Sequence, residues 1–268
     1  MTRHMCMTCG TQYSDSDAAP ASCPICEDER QFVGHNGQQW ITLEGLQARG
    51  HTNVYRELEP GLVGIGTVPD FAIGQRALLV RTPYGNILWD CISYIDDVTV
   101  AALQELGGVQ AIAISHPHYY SSMIEWAERF DAPIYIHEAD KAWVMRSSDR
   151  IEYWNGDRKR LNPDVALHHV GGHFAGSAVL HWGGAADGNG VLLTGDTVQV
   201  AEDRRWVSFL YSYPNMIPLP AREIQRMRGV LAELEFERLY GFKWDRVVDA
   251  DARGVVIRSA DRYVRALT

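Results

Sequence analysis

The sequence predicts a layered αββα sandwich of the α/β (α+β) class, four layers deep, with a small cysteine-rich module in front of it. Three observations lead there. Two runs of short strand-like segments follow one another, each with amphipathic helices interspersed. Four of the five cysteines lie within the first 26 residues, ahead of both runs. Histidines and aspartates stand just past several strand ends, where open α/β sheets place their chemistry. The 268 residues, 46% of them hydrophobic, suffice for one large domain with an appendage. Boundaries are expected at residues 1–40 for the cysteine module and 41–268 for the sandwich.

Charge and patterning narrow the partners. A net charge of −9 argues against broad binding to nucleic acid or to anionic membranes. No apolar run approaches the roughly 18 residues of a membrane span, and the polar, cysteine-rich start is unlike a signal peptide. A cytoplasmic protein acting on a small molecule is expected, and a homodimer is compatible with the chain. In a reducing compartment, clustered cysteines point to metal rather than to disulfides.

Taken in order, the chain opens with Cys6-Met7-Thr8-Cys9 and Cys23-Pro24-Ile25-Cys26. Each C-x-x-C pair makes a tight turn, and two such turns close a tetrahedral four-sulfur site. The Ser/Asp/Ala/Pro linker between them has no periodic pattern, so metal rather than a core must order it. Zinc suits so short a module, although iron fits the same cage. Segments 54–58, 61–68, 77–81 and 86–89 read as strands, the last two joined by a turn at Pro83-Tyr84-Gly85-Asn86. Gly61, Gly64 and Gly66 read as turn or bulge glycines, since no Gly-Lys-Ser/Thr follows them. Asp90 closes the fourth strand, and a helix is expected over 98–106.

A strand over 109–114 then runs into Ser115-His116-Pro117-His118-Tyr119-Tyr120-Ser121-Ser122, with Ser121 or Ser122 as N-cap of a helix over 123–130. Pro117 holds His116 extended, which lets the i, i+2 imidazoles converge. Further on, 133–137 reads as a strand, 138–145 as a helix and 146–164 as an irregular loop. Val165–Val170 leads to Gly171-Gly172-His173, 178–182 is a strand, and 191–193 ends on Thr194-Gly195-Asp196. The aromatic stretch 206–220 suits a pocket wall or partner surface. A helix over 223–234, a strand over 236–240 and a helix over 260–267 complete the chain. Cys91, His137, His168, His169 and His181 are read as structural, with His168 and His169 as outer neighbours of His173.

A strand ending in Asp90, then Ser-His-x-His, Gly-Gly-His-x-x-Gly-Ser and Thr-Gly-Asp, resembles the metallo-β-lactamase superfamily over roughly residues 53–268. The pattern of Cys6, Cys9, Cys23 and Cys26 resembles zinc ribbons and rubredoxin knuckles. The resemblance implies a metal bound by His116, His118 and His173, with Asp196 as ligand or as partner of an activated water, and Asp90 one shell out. It also exposes departures. The family's next Asp-His pair, which ligates a second metal, is replaced by Tyr120 and Ser121, and the final His near residues 240–244 is missing. One ion is therefore expected, with Tyr120 assisting an oxyanion and Lys243 supplying positive charge near the vacated position.

Three functions follow from this reading. The first is a zinc hydrolase of an ester, thioester, lactone or related bond, with one structural and one catalytic zinc. The second is a mononuclear iron oxygenase using His116, His173 and Asp196. The third is a non-catalytic binding protein with a degenerate site.

Overall fold

Hairpin chemistry seeds the first sheet. Gly61, at φ +85°, turns β3 (Thr52–Glu59) into β4 (Leu62–Val68), and Pro83-Tyr84 joins β5 (Arg76–Thr82) to β6 (Gly85–Trp89). The computed structural model describes residues 1–268. Its first compact unit comprises residues 1–136 and 141–153, its second residues 137–140 and 154–268.

In the first unit, the two-residue strands β1 (Met5–Cys6) and β2 (Trp40–Ile41) pair antiparallel, and α1 (Pro24–Glu27) and α2 (Leu43–Ala48) flank them. The main sheet runs in the order β3-β4-β5-β6-β7-β8-β9, with β7 (Ala111–Ala113), β8 (Ile134–His137) and β9 (Ile151–Trp154) continuing it. β4 is buried on both faces except at its last residue, whereas the edge strand β3 carries exposed Arg56 and Glu57. Charge on an edge strand discourages pairing with another chain. β6, β7 and β8 are parallel, so their carboxyl ends share one rim. α3 (Asp97–Glu105), capped by the Asp96 carboxylate on the Thr99 amide, and α4 (Met123–Phe130) supply the crossovers.

The second unit holds a six-stranded sheet ordered β10-β11-β12-β13-β18-β19. Its strands are β10 (Arg158–Arg160), β11 (Val165–His169), β12 (Ala178–Trp182), β13 (Val191–Gly195), β18 (Arg238–Gly241) and β19 (Val247–Val248). The intervening stretch forms short pairs, β14 (Gln199–Val200) with β15 (Val207–Ser208) and β16 (Leu210–Ser212) with β17 (Ile217–Pro218). Helices α5 (Ala221–Ala232) and α6 (Ala252–Leu267) close a core that includes Val179, Leu192, Phe209, Ile224, Met227, Leu231 and Val256. No helix is long and apolar enough to cross a membrane.

Four expectations need correction. Residues 138–143 form a 3₁₀ helix rather than an α-helix over 138–145. The stretch 146–164 contains β9 and β10 instead of a bare loop. The last helix begins at Ala252, not Ala260: its buried face is built from Ala252, Val255, Val256, Ser259 and Ala260, small residues that give a weak apolar signal. Ser122 occupies the N-cap position of α4 without capping it, because its hydroxyl donates to the carbonyls of Ile92 and Ser93.

Candidate functional site

The cysteine module closes as its spacing predicts. Cys6, Cys9, Cys23 and Cys26 are buried, free of disulfides, and have sulfurs within 4.8 Å of one another. The Cys6–Cys26 and Cys9–Cys23 sulfurs stand 3.5 and 3.7 Å apart. A tetrahedron with zinc–sulfur bonds of about 2.3 Å has edges of about 3.8 Å, so the cage fits a single ion of that size. Mutual hydrogen bonding of the four thiols pushes Cys6 and Cys23 down and Cys9 and Cys26 up. Tyr13 and Ile25 are buried with the cage, and Trp40, Trp143 and Met145 pack against it.

The histidine loop is held from beneath. Asp90, at φ +59°, turns the chain at the end of β6, and its Oδ1 accepts a hydrogen bond from the Ser115 amide at 2.8 Å. That contact fixes the residue before His116, whose backbone is fully extended at φ −171°, ψ 174°. Pro117–Tyr119 then make a 3₁₀ turn, and the rings of His116 and His118 lie 5.2 Å apart. The Ser115 hydroxyl engages Nδ1 of His116 at 3.0 Å, leaving Nε2 to face a ligand. Burial, with a smaller contribution from the Arg30 guanidinium, lowers the His116 pKa to about 3. Its lone pair is thus available at neutral pH.

His173 sits in the loop between β11 and β12, and several contacts fix that loop. Gly171 and Gly172 adopt positive φ, the Ser177 hydroxyl accepts from the Phe174 amide, and the buried Asp140 carboxylate accepts from the Gly176 amide at 2.7 Å. A side chain at Gly176 would put its Cβ 2.8 Å from the Asp140 carboxyl carbon. Nδ1 of His173 lies 3.1 Å from the Leu210 carbonyl, a bond that makes it the protonated nitrogen and leaves Nε2 as donor to a metal. Asp196 follows β13 and is 6% exposed. Tyr213 touches both: its ring lies edge-on to His173 at 5.4 Å, and its hydroxyl donates to the Asp196 carbonyl at 2.5 Å. Burial, and then the Asp196 carboxylate, push the phenol well above its ordinary pKa, so it remains a donor.

His116 and His118 belong to the first unit and His173 and Asp196 to the second, and all four side chains are buried. Three imidazoles and a carboxylate are a donor set suited to zinc or iron.

The remaining expected residues are placed as follows. Tyr120 is buried at the start of the turn into α4 and lines a small cavity with Gln12, Ser121 and Arg146. Ser121, at φ +44°, receives a hydrogen bond from Gln75 at 2.9 Å and donates to the Cys91 carbonyl. Lys243 is exposed, with its ammonium 5.5 Å from the Phe242 ring. His137 and His169 stack at 4.0 Å, and Nε2 of His169 reaches the Ala175 carbonyl two residues beyond His173. Tyr213 and the Leu210 carbonyl escape a reading of the sequence. Tyr213 is visible there only as one aromatic among many, and a backbone carbonyl leaves no trace in side-chain identity.

No family model matches the chain. Among solved structures it is similar to DIM-1 metallo-β-lactamase exposed to ceftazidime, with a TM-score of 0.60 and 11% identity over 81% of this chain and 98% of that one. A B3 metallo-β-lactamase with an active-site glutamic acid gives 0.54 and 14% over 81% and 88%. A Cronobacter sakazakii metallo-β-lactamase with a HARLDQ motif gives 0.53 and 16% over 80% and 90%. These likenesses establish the metallo-β-lactamase fold that the four motifs predict. A protein of Bacillus subtilis (strain 168) described as "Uncharacterized protein YmaE" is 50% identical over 268 residues, all of this chain and 97% of the other. With half its residues shared from end to end, the chain belongs to the YmaE family.

Proposed function

We propose that this protein is a hydrolase working with a single zinc ion held by His116, His118 and His173, with Asp196 beside it, and carrying a structural zinc in the four-cysteine cage. The observation that carries this reading is that His116, His118, His173 and Asp196 are buried side chains of metal-binding type on the loops that follow β7, β11 and β13. Zinc so held supplies Lewis acidity toward water and a carbonyl group near neutral pH. The protein's residues do the rest. Ser115 orients the His116 ring, the Leu210 carbonyl sets the tautomer of His173, and Asp90 steadies the loop through the Ser115 amide. Asp196 accepts a proton from the attacking water at its carboxylate, while Tyr213 anchors its backbone. The substrate class is an ester, thioester, lactone or related acyl compound.

A single ion is favoured by what stands where the resemblance places the second metal's ligands. Ser121 is committed to Gln75 and the Cys91 carbonyl. A neutral hydroxyl at Ser121 and a phenol at Tyr120 are poor substitutes for imidazole and carboxylate. The test is metal content together with turnover of an ester, thioester and lactone panel. Wild-type protein should hold two zinc per chain, and His118→Ala should hold one and lose hydrolysis by at least a hundredfold. Unchanged metal content in His118→Ala sinks the assignment.

A further inference from the structure

The four-cysteine cage has an outer layer that its motif does not encode. Four thiolates around a divalent ion carry a net charge of −2, and these sulfurs are buried from water. Charge so enclosed is costly unless hydrogen-bond donors face it. Two side chains do. The Tyr13 hydroxyl donates to the Cys23 sulfur at 3.0 Å, and the Gln38 amide donates to the Cys6 sulfur at 3.2 Å. Each C-x-x-C pair therefore receives one donor.

Backbone pairing delivers both. The Tyr13 amide bonds the His4 carbonyl, and the Tyr13 ring packs edge-on against Trp40 at 4.9 Å. Cys6 pairs with Trp40 across β1 and β2, and the Met7 amide bonds the Gln39 carbonyl, which brings the Gln38 side chain beside Cys6. The other amide hydrogen of Gln38 meets the Gln39 carbonyl at 3.1 Å, fixing the group's orientation.

We propose that Tyr13 and Gln38 are positioning residues that tune the four-cysteine centre, drawing negative charge from one sulfur of each pair and so holding its metal in place. The inference rests on the reading that the cage binds a metal. Without these donors the sulfurs become more basic, take up protons more readily and release the ion faster.

The experiment uses the full-length protein, with Cys26→Ser establishing which metal belongs to the cage. Tyr13→Phe keeps the ring against Trp40 and removes only the hydroxyl, and Gln38→Leu keeps the volume. Cobalt-loaded protein reports the sulfur-to-cobalt charge-transfer band, to which the histidine site contributes nothing. Zinc-loaded protein reports transfer of the ion to excess 4-(2-pyridylazo)resorcinol. Each variant should shift the band to lower energy and speed release about tenfold, and the pair about a hundredfold, because hydrogen bonds to charged groups are strong and the two act on different sulfurs. An unmoved band with release within twofold of wild type overturns the tuning role. A wild-type cage that holds no ion removable by Cys26→Ser overturns the metal reading itself, and that result appears before any donor variant is made.

Discussion

The two metal-capable groups are built on opposite plans. The four-cysteine cage takes all its sulfurs from residues 6–26, a stretch with no periodic apolar pattern of its own. The residues proposed for the second site, His116, His118, His173 and Asp196, are scattered over 80 positions, and His116 and His173 are each oriented by a hydrogen bond, to Ser115 and to the Leu210 carbonyl. On the proposed function, the contrast is between a metal that acts as scaffold and a metal that acts as reagent.

Breaking each group should therefore have different consequences. The largest effect belongs to Cys26→Ser. Loss of the ribbon ion should unfold the first 40 residues, seen as lost amide protection there in hydrogen exchange, because structural zinc supplies on the order of 10 kcal/mol to such modules. A protected ribbon after chelation would erase the distinction. Next comes Asp90→Asn, which keeps a residue tolerant of φ +59° but weakens the acceptor for the Ser115 amide. Competition with a chelator should show zinc affinity at the histidine group reduced about tenfold, with the ribbon ion unaffected.

A smaller effect involves His168, whose pKa is lowered to about 4 by burial first and then by His181 and Arg158. The unfolded chain binds this proton at about pH 6.5 and the folded chain only near pH 4, so the contribution to stability is complete above the unfolded value and is lost as pH falls toward the folded one. Between pH 7 and 5 this site alone should cost the apo protein about 2 kcal/mol. Denaturant unfolding of His168→Gln should show a correspondingly flatter pH profile, and an identical slope would refute the assignment. The smallest change is expected of Tyr120→Asp combined with Ser121→His. With the final family histidine absent and the Gln75–Ser121–Cys91 network disrupted, metal content should stay at two ions per chain, and a third would show that the second position survives.

Much of this was legible beforehand for a physical reason. α4, with its strongly amphipathic Met123–Phe130, and β12 were delimited to the residue because local patterning and tertiary burial agree there. The four candidate residues His116, His118, His173 and Asp196 stand out in the sequence because each follows a strand end among small residues. What escaped depends on atoms without side-chain identity or on distant partners. The Leu210 carbonyl is invisible in any alphabet of residues, and Ser122 turned its hydroxyl to the chain near Ile92 instead of to its own helix. Tyr213 gained its role from the approach of Asp196, an event that spacing does not encode.

The tight approach of Gly176 to Asp140 carries one more implication. A substitution library across the loop that presents His173 would be filtered by steric exclusion before any chemistry was assayed. Even alanine at position 176 must displace the Asp140 carboxyl, whereas Gly50 and Gly156 have open space beside them. Tolerance to mutation in this loop would thus map the distance to a buried carboxylate rather than the distance to the reacting atoms.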